Sequence, residues 1–336
     1  MKLILFFLGV IFFFSGLEAL PILLDVTISQ TDKIEINYQI ENAEENMKID
    51  LGCFRKSDKE IFQIEESYIS GDFGILEIKG KYFLEVKLEG LPDDFNLYDF
   101  LIFPKLIFQD KIYYEMEKIS AGSYPVFKEN NVIEMISTRG FFISKFEVTN
   151  EQFLEFVNAD GYEFREYWLI DPNLMSKSNI GWLYQARYKM SLPFDWSYKN
   201  KPLFKDADSD FLYGPVTNVR WFEANAFCNW MECEMPTLKQ IEVSFYKSAK
   251  SEDEIFSGIS VFDESGFPLQ KITDGVSEWL MSGVDPASAA CGGCNEMIVL
   301  KNNSNRKFER IFTLLKCPLY READLGFRLV VEMKDP

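Results

Sequence analysis

Histidine is absent from all 336 residues of this chain. Without imidazole, the sequence cannot supply a Ser-His-Asp or Cys-His nucleophilic pair, a histidine general base, or a histidine-ligated iron or zinc centre. Any catalysis must therefore use carboxylates, lysine, tyrosine, cysteine, or a cofactor that is held without imidazole.

Basic residues are also scarce. The chain has 35 lysines and arginines against 53 acidic residues, which gives a net charge of −18. A surface this acidic repels the phosphate backbone of nucleic acids and the head groups of anionic lipids. The composition therefore predicts a protein without a nucleic-acid partner.

Long apolar runs are confined to the first residues of the chain. The run from Leu3 to Phe14 would cover ~18 Å as a helix, which is short of a hydrocarbon core of ~30 Å. Lys2 precedes the run and Ala19 offers a small residue for cleavage, as in a secretory signal peptide. We predict a signal peptide over residues 1–19 and export to the periplasm, the cell envelope or the medium. The alternative is an uncleaved N-terminal anchor, which would be the protein's contact with a membrane.

Residues 20–110 alternate apolar and polar side chains with a period of two, as in KIEINY from Lys33 to Tyr38. Half-buried strands need this alternation. Turn residues such as Gly71-Asp72 and Pro92-Asp93 separate the runs. The pattern predicts a β-sandwich of the immunoglobulin or fibronectin type.

Helical patterns begin after residue 110. The segment TNEQFLEFV begins at Thr149, a good N-cap, with Gln152 placed to complete a capping box. A second helix is predicted from Arg220 to Met231, and a third from Pro236 to Tyr246. The chain is therefore expected to be α+β, with a second domain over residues 111–333.

A long aromatic-rich stretch, residues 158–214, separates the first two predicted helices. A stretch of this length inside a domain is usually functional. Trp182 and Trp196 lie in it and are our candidates for an exposed binding surface.

Several blocks of residues 111–333 resemble, in order, the motifs of the formylglycine-generating-enzyme (sulfatase-modifying factor) family. The resemblance implies the irregular α+β, C-type-lectin-like fold of that family for the second domain. The blocks are FFISKFEVTNEQFLEFV from Phe141, PVTNVRWFEANAFCNWM from Pro215, MPTLKQIEVSF from Met235, GVSEW from Gly275 and LGFRLV from Leu325.

The enzymes of this family oxidise a substrate cysteine with two active-site cysteines that bind copper. The positions matching those cysteines carry Lys307 and Phe312. Neither side chain offers the soft thiolate that Cu(I) requires. Copper is therefore not expected, and the oxidase chemistry is predicted to be lost.

The resemblance also implies a calcium ion near the GVSEW block. Gly275 replaces the family's asparagine there, while Asp274 and Glu278 remain as oxygen donors. Asp274 and Glu278 are therefore our candidate calcium ligands, and no other cofactor is predicted.

The six cysteines leave several alternatives open. Cys291 and Cys294 form a CGGC pattern, which suits a structural disulfide, a redox pair, or a zinc site completed by Cys228 and Cys233. The resemblance implies that Cys228 is half of a structural disulfide, although the partner position carries Leu329.

These observations predict an exported, non-catalytic protein that acts in binding or as a structural component of the cell envelope. The predicted partner is an envelope or extracellular protein or a glycan. The first alternative is a thiol- or metal-dependent oxidoreductase of the same fold that uses Cys291 and Cys294. The second is a lectin-like carbohydrate binder assisted by calcium. Function resides in the site rather than the scaffold, so the fold alone does not decide among them.

Overall fold

The structure of the protein is a computed structural model that describes residues 20–58, 60–128, 132–170, 179–194, 196, 209–248, 276–284, 296–300 and 313–333. Its strands are β1 (Ile22–Gln30), β2 (Lys33–Glu41), β3 (Lys48–Arg55), β4 (Ile69–Gly71), β5 (Gly74–Ile75), β6 (Lys81–Lys87), β7 (Phe100–Phe108), β8 (Lys111–Tyr113), β9 (Met116–Ile119), β10 (Gly122–Lys128), β11 (Val132–Thr138), β12 (Phe141–Ser144), β13 (Ser277–Val284), β14 (Glu296–Leu300), β15 (Thr313–Lys316), β16 (Leu325–Gly326) and β17 (Val330–Glu332).

Its α-helices are α1 (Asn150–Asn158), α2 (Ile180–Tyr188), α3 (Ser209–Leu212), α4 (Trp221–Met231) and α5 (Leu238–Ser248). Short 3-10 helices cover Glu66–Tyr68, Leu88–Gly90 and Arg165–Trp168. This mixture of strands and helices agrees with the predicted α+β class. Within the described residues, no helix is long and apolar enough to cross a membrane.

The N-terminal strands form two four-stranded antiparallel sheets, in the orders β1-β2-β6-β4 and β5-β3-β7-β8. The predicted alternation is confirmed in β2, where Ile34, Ile36, Tyr38 and Ile40 are buried. Side chains with a period of two all point to one face of a strand, so these residues form a continuous apolar face. The immunoglobulin- or fibronectin-like identity of this unit stays a prediction.

A two-residue hairpin turn joins β7 to β8. Gln109 and Asp110 both have positive φ, 50° and 58°, as the type I′ turn that matches the twist of paired strands requires. The predicted domain boundary between residues 110 and 111 lies at the end of this turn, and β8 still pairs with the N-terminal sheet.

The later strands form three further sheets, with the orders β17-β12-β9, β10-β11 and β15-β14-β13-β16. The pairing of β13 with β16 is parallel, and it connects the GVSEW block to the LGFRLV block. The C-type-lectin-like description of this unit stays a prediction.

The predicted helix starts are confirmed. Gln152 N donates to Thr149 Oγ1 over 3.2 Å, and Thr149 N donates to Gln152 Oε1 over 3.1 Å, so the capping box is complete. At α5, Gln240 N likewise donates to Thr237 Oγ1 over 3.3 Å. Local sequence therefore determines where these helices begin.

The two units share one cluster of buried apolar side chains, which runs from the N-terminal sheets to α1 and α4. Polar bonds cross the same boundary: Glu115 Oε1 accepts from Val26 N over 3.0 Å and from Lys145 Nζ over 2.6 Å. Tyr213 packs against the rings of Phe54 and Phe103, with centroids 5.6 and 5.1 Å away. The N-terminal unit therefore holds the end of the 158–214 stretch.

Candidate binding surface

The 3-10 helix Arg165–Trp168 is held in place by its own turn and by α4. Trp168 is buried, and its Nε1 donates to the carbonyl of Gly161 over 3.1 Å. Asn229 Nδ2 on α4 donates to the carbonyl of Leu169 over 2.9 Å. The Leu169 carbonyl oxygen, at the end of this short helix, has no partner within the helix and is satisfied by this bond.

Helix α2 lies directly on this turn. The buried Gln185 donates through Nε2 to the carbonyls of Tyr162 and Met190, over 2.8 and 2.7 Å. A Cβ atom added at Gly181 would lie 2.5 Å from the carbonyl oxygen of Trp168. Only glycine allows the helix to approach the backbone this closely.

These elements expose a group of apolar side chains that we name the α2 face. Each member is between 40% and 54% exposed, and α2 contacts the 3-10 helix. Two members flank the 3-10 helix and two lie on α2, and exposed apolar groups that form a patch mark interaction sites. The members of the α2 face are Phe164, Leu169, Leu183 and Tyr188.

Positive side chains surround the α2 face. Arg165, Arg187 and Lys189 are exposed, and α2 itself contains no acidic residue. The guanidinium of Arg187 lies 5.6 Å from the ring centroid of Tyr188, and that of Arg220 lies 6.0 Å from it. Cation–π contacts at this distance favour a defined ring orientation. Glu163 and Glu166 are exposed beside Arg165, so the rim of the α2 face carries charges of both signs.

A buried acid supports the surface from below. Glu223, 1% exposed, accepts from Arg220 N over 3.0 Å and from Tyr162 Oη over 2.8 Å. Burial raises the pKa of Glu223, and the bonds and charge of Arg220 oppose this only in part. Burial also raises the pKa of Tyr162 well above its usual range, so its hydroxyl is a permanent donor. The network is a rigid support for the residues above it.

Asn150, the first residue of α1, anchors the far end of the 158–214 stretch. Its Nδ2 donates to the carbonyl of Phe211 over 2.7 Å and to that of Gly214 over 3.3 Å. Its Oδ1 accepts from Trp196 Nε1 over 3.2 Å. The Asn150 side chain therefore connects the start of α1 to Trp196, Phe211 and Gly214, which lie 46 to 64 residues further along the chain. Sequence reasoning missed this role, although Asn150 lies in the EVTN motif.

The two tryptophan candidates occupy different environments. Trp196 is 6% exposed, and its ring centroid lies 6.0 Å from that of Phe153 and 5.7 Å from that of Phe211. The expectation of an exposed side chain is wrong for Trp196, because its ring packs in the core and its N–H is bonded to Asn150. Trp182 is half-buried against the same core. Exposed apolar area on α2 comes instead from Leu183 and Tyr188.

The metal and thiol candidates lie mostly outside the described residues, namely Asp274, Cys291, Cys294, Lys307 and Phe312. Glu278 is described, and its two carboxylate oxygens accept from Arg328 over 2.7 and 2.6 Å. In the part of the chain that the structure describes, no group of three or more cysteine or acidic residues is arranged to hold a metal ion.

Three of the described thiols are deeply buried. Burial raises the pKa of Cys53 and of Cys233 to about 12, and it raises that of Cys228 well above its usual range. A thiol that stays protonated is a poor nucleophile and a poor metal ligand. These three cysteines are therefore unsuited to redox catalysis in the folded protein.

Residues 109–245 match the model of the sulfatase-modifying factor enzyme 1-like domain. The chain carries a domain of this family. The match to the sulfatase-modifying factor domain includes α1, α2 and α4 and ends within α5, before the block that contains Arg328.

The chain is also similar to individual proteins. Over 104 residues it is 26% identical to hercynine oxygenase of Mycolicibacterium thermoresistibile, which covers 31% of this chain and 21% of that protein. The chain thus spans about a fifth of the length of this curated relative.

Two solved structures align with the chain. The crystal structure of CarF is 17% identical, with 66% of this chain and 98% of that one covered and a TM-score of 0.38. Treponema denticola variable protein 1 is 14% identical, with 68% and 96% covered and a TM-score of 0.39. These TM-scores are too low for either structure to support a functional argument.

Proposed function

We propose that this protein is an exported, non-catalytic binding protein that recognises an envelope or extracellular protein through the α2 face. The observation that carries the proposal is the group of exposed apolar side chains beside exposed arginines. Aromatic and arginine side chains supply much of the energy of protein interfaces, whereas lysine and acidic residues are depleted there. The rigid support under the face limits the entropy lost on binding.

The exposed chemistry favours a protein over a glycan. Leu183 and Leu169 add aliphatic area that a polyhydroxylated sugar cannot use, whereas an apolar protein side chain buries it at about 25 cal/mol per Å². Arg187 and Lys189 suit acidic groups at the rim of such a partner. Glycan binding is an outcome that the experiment below distinguishes.

The absence of catalysis is part of the same proposal. Lys307 and Phe312 stand where the resemblance expects copper thiolates, and the described thiols of Cys53, Cys228 and Cys233 are buried and protonated. Copper is therefore not a proposed cofactor. Calcium at Asp274 stays a prediction, and Glu278 would join it only by giving up a bond to Arg328.

Binding is tested by comparing the wild type with a Leu183→Ala/Tyr188→Ala variant. Proteins retained from an envelope fraction are identified, and the retained partner is then purified and titrated. We expect binding at least about tenfold weaker, a change of about 1.4 kcal/mol, and an unchanged melting temperature. The matched control is Tyr98→Ala, an exposed aromatic of the N-terminal unit.

Equal affinity of the wild type and the double variant would overturn the proposal. Equal binding of the wild type and the double variant to the same glycans on an array would also overturn it. Loss of binding in the Tyr98→Ala control would place the partner on the N-terminal unit instead.

The oxidoreductase alternative predicts disulfide exchange or oxygen consumption with a thiol peptide, abolished by Cys291→Ser. We expect no turnover from either the wild type or this variant. Measurable turnover that depends on Cys291 would replace the binding proposal with an enzymatic one.

A further inference from the structure

Helix α4 ends in a Schellman motif. Cys233 N donates to the carbonyl of Cys228 over 3.0 Å, and Glu232 N donates to that of Asn229 over 3.2 Å. Glu232 has a φ of 61°, the left-handed conformation that this motif requires after the last helical residue. The two nested bonds define a six-residue loop from Cys228 to Cys233.

The motif brings two particular side chains together. In a Schellman motif, the first and sixth residues of the loop commonly make a side-chain contact across it. Here both are cysteines, and both are buried, at 0% and 8% exposure. Burial raises the pKa of the Cys228 thiol, and the nearby Cys233 adds to this increase.

We propose that Cys228 and Cys233 form an intramolecular disulfide when the protein folds in an oxidising compartment. The hydrogen bond between their backbones fixes the approach of the two residues that a disulfide needs. The sulfur of Cys233 donates a weak bond to the carbonyl of Met231 over 3.4 Å in the thiol form. Forming the disulfide requires this sulfur to leave the Met231 carbonyl and turn toward Cys228.

The reaction is a thiol–disulfide exchange. Two thiols lose two electrons and two protons, and an external small disulfide, such as oxidised glutathione, is reduced to two thiols. Cys228 is inaccessible in the folded protein, so the bond forms before α4 packs into the core. Its effect is to fix the end of α4 next to the bridge between Glu234 and Val330.

A peptide map tests the proposal directly. Trypsin releases Trp221–Lys239, which contains Cys228 and Cys233 and no other cysteine. Protein from the exported fraction is denatured without reductant, alkylated and digested. We expect this peptide to be unlabelled and two hydrogens lighter than the dithiol form. Cleavage after Glu232 should leave its two halves joined until reductant is added.

Labelling of both cysteines would overturn the proposal, as would a link from either one to a different peptide. Stability gives a second measurement. Reductant should lower the melting temperature of the wild type and of Cys53→Ala by a few degrees more than that of Cys233→Ala, which keeps Cys291 and Cys294. If Cys233→Ala does not fold, the peptide map of the wild type decides alone.

Discussion

Arg328 and Glu278 form two parallel hydrogen bonds, from Nε to Oε2 over 2.7 Å and from Nη2 to Oε1 over 2.6 Å, and both side chains are completely buried. The third nitrogen, Nη1, donates to the carbonyl of Ser144 over 3.1 Å. One guanidinium therefore connects β13, β12 and the segment that leads into β17. Because both side chains are buried, water cannot replace either partner of this ion pair.

Arg328→Met should strongly destabilise the protein. Removing one partner of a buried pair leaves an unpaired charge and typically costs about 3–5 kcal/mol. Lys118→Met is the control, because Lys118 pairs with Glu41 at the surface, where such pairs contribute about 1 kcal/mol or less. Denaturant unfolding measures both changes, and similar losses in the two variants would contradict the argument.

Stability should fall as the pH rises from mildly acidic to neutral. Burial raises the pKa values of Glu115 and Glu223, and the charges and hydrogen bonds of Lys145 and Arg220 oppose these shifts only in part. The folded state therefore keeps protons that the unfolded chain releases at lower pH. Their contribution is complete below the ordinary carboxyl pKa and is lost as the pH passes through the raised values.

Denaturant unfolding at several pH values between about 4.5 and 8 tests this dependence. Glu223→Gln cannot ionise. It keeps one side-chain oxygen for the donors of Arg220 and places its amide nitrogen toward the Tyr162 hydroxyl, which can accept a hydrogen bond. Its stability should vary less steeply with pH than that of the wild type. A wild-type stability that rises toward neutral pH would contradict the prediction.

Asn150→Ala should loosen the end of the 158–214 stretch. The change removes the donors to Phe211 and Gly214 and the acceptor for Trp196. Leaving buried polar groups without partners costs about 1–3 kcal/mol. The free energy of unfolding measures the loss, and Asn158→Ala, at the exposed end of α1, is the control. An equal effect of the two changes would show that Asn150 is not an anchor.

Gly181→Ala should displace α2. Alanine normally favours a helix over glycine by about 1 kcal/mol, but its Cβ would lie 2.5 Å from the carbonyl oxygen of Trp168. We expect a net destabilisation of about 1–3 kcal/mol and weaker binding through the α2 face. Gly122→Ala is the control, since its nearest neighbour would be 3.5 Å away. A stabilised Gly181→Ala variant would contradict the close approach.

Local sequence was sufficient to predict the structure wherever the interacting residues are near each other in the chain. The alternation in β2 predicted its buried face, and Thr149 with Gln152 predicted the start of α1. The buried Trp196 could not be predicted in this way, because a stretch rich in aromatics and polar residues has no period that separates core from surface. The α2 face was likewise hidden, since α2 has apolar side chains around most of its circumference.

The sequence by itself determined which chemistry the composition excludes, where the alternating strands lie and where the helices start. It also determined the order of motifs that resembles the sulfatase-modifying factor domain. Only the tertiary structure decided that Arg328 pairs with Glu278, 50 residues away, and that Asn150 bonds to Trp196, 46 residues away. The physical reason is that capping and alternation depend on a few neighbouring residues. A buried polar group instead takes whichever partner the packed chain brings within hydrogen-bond distance.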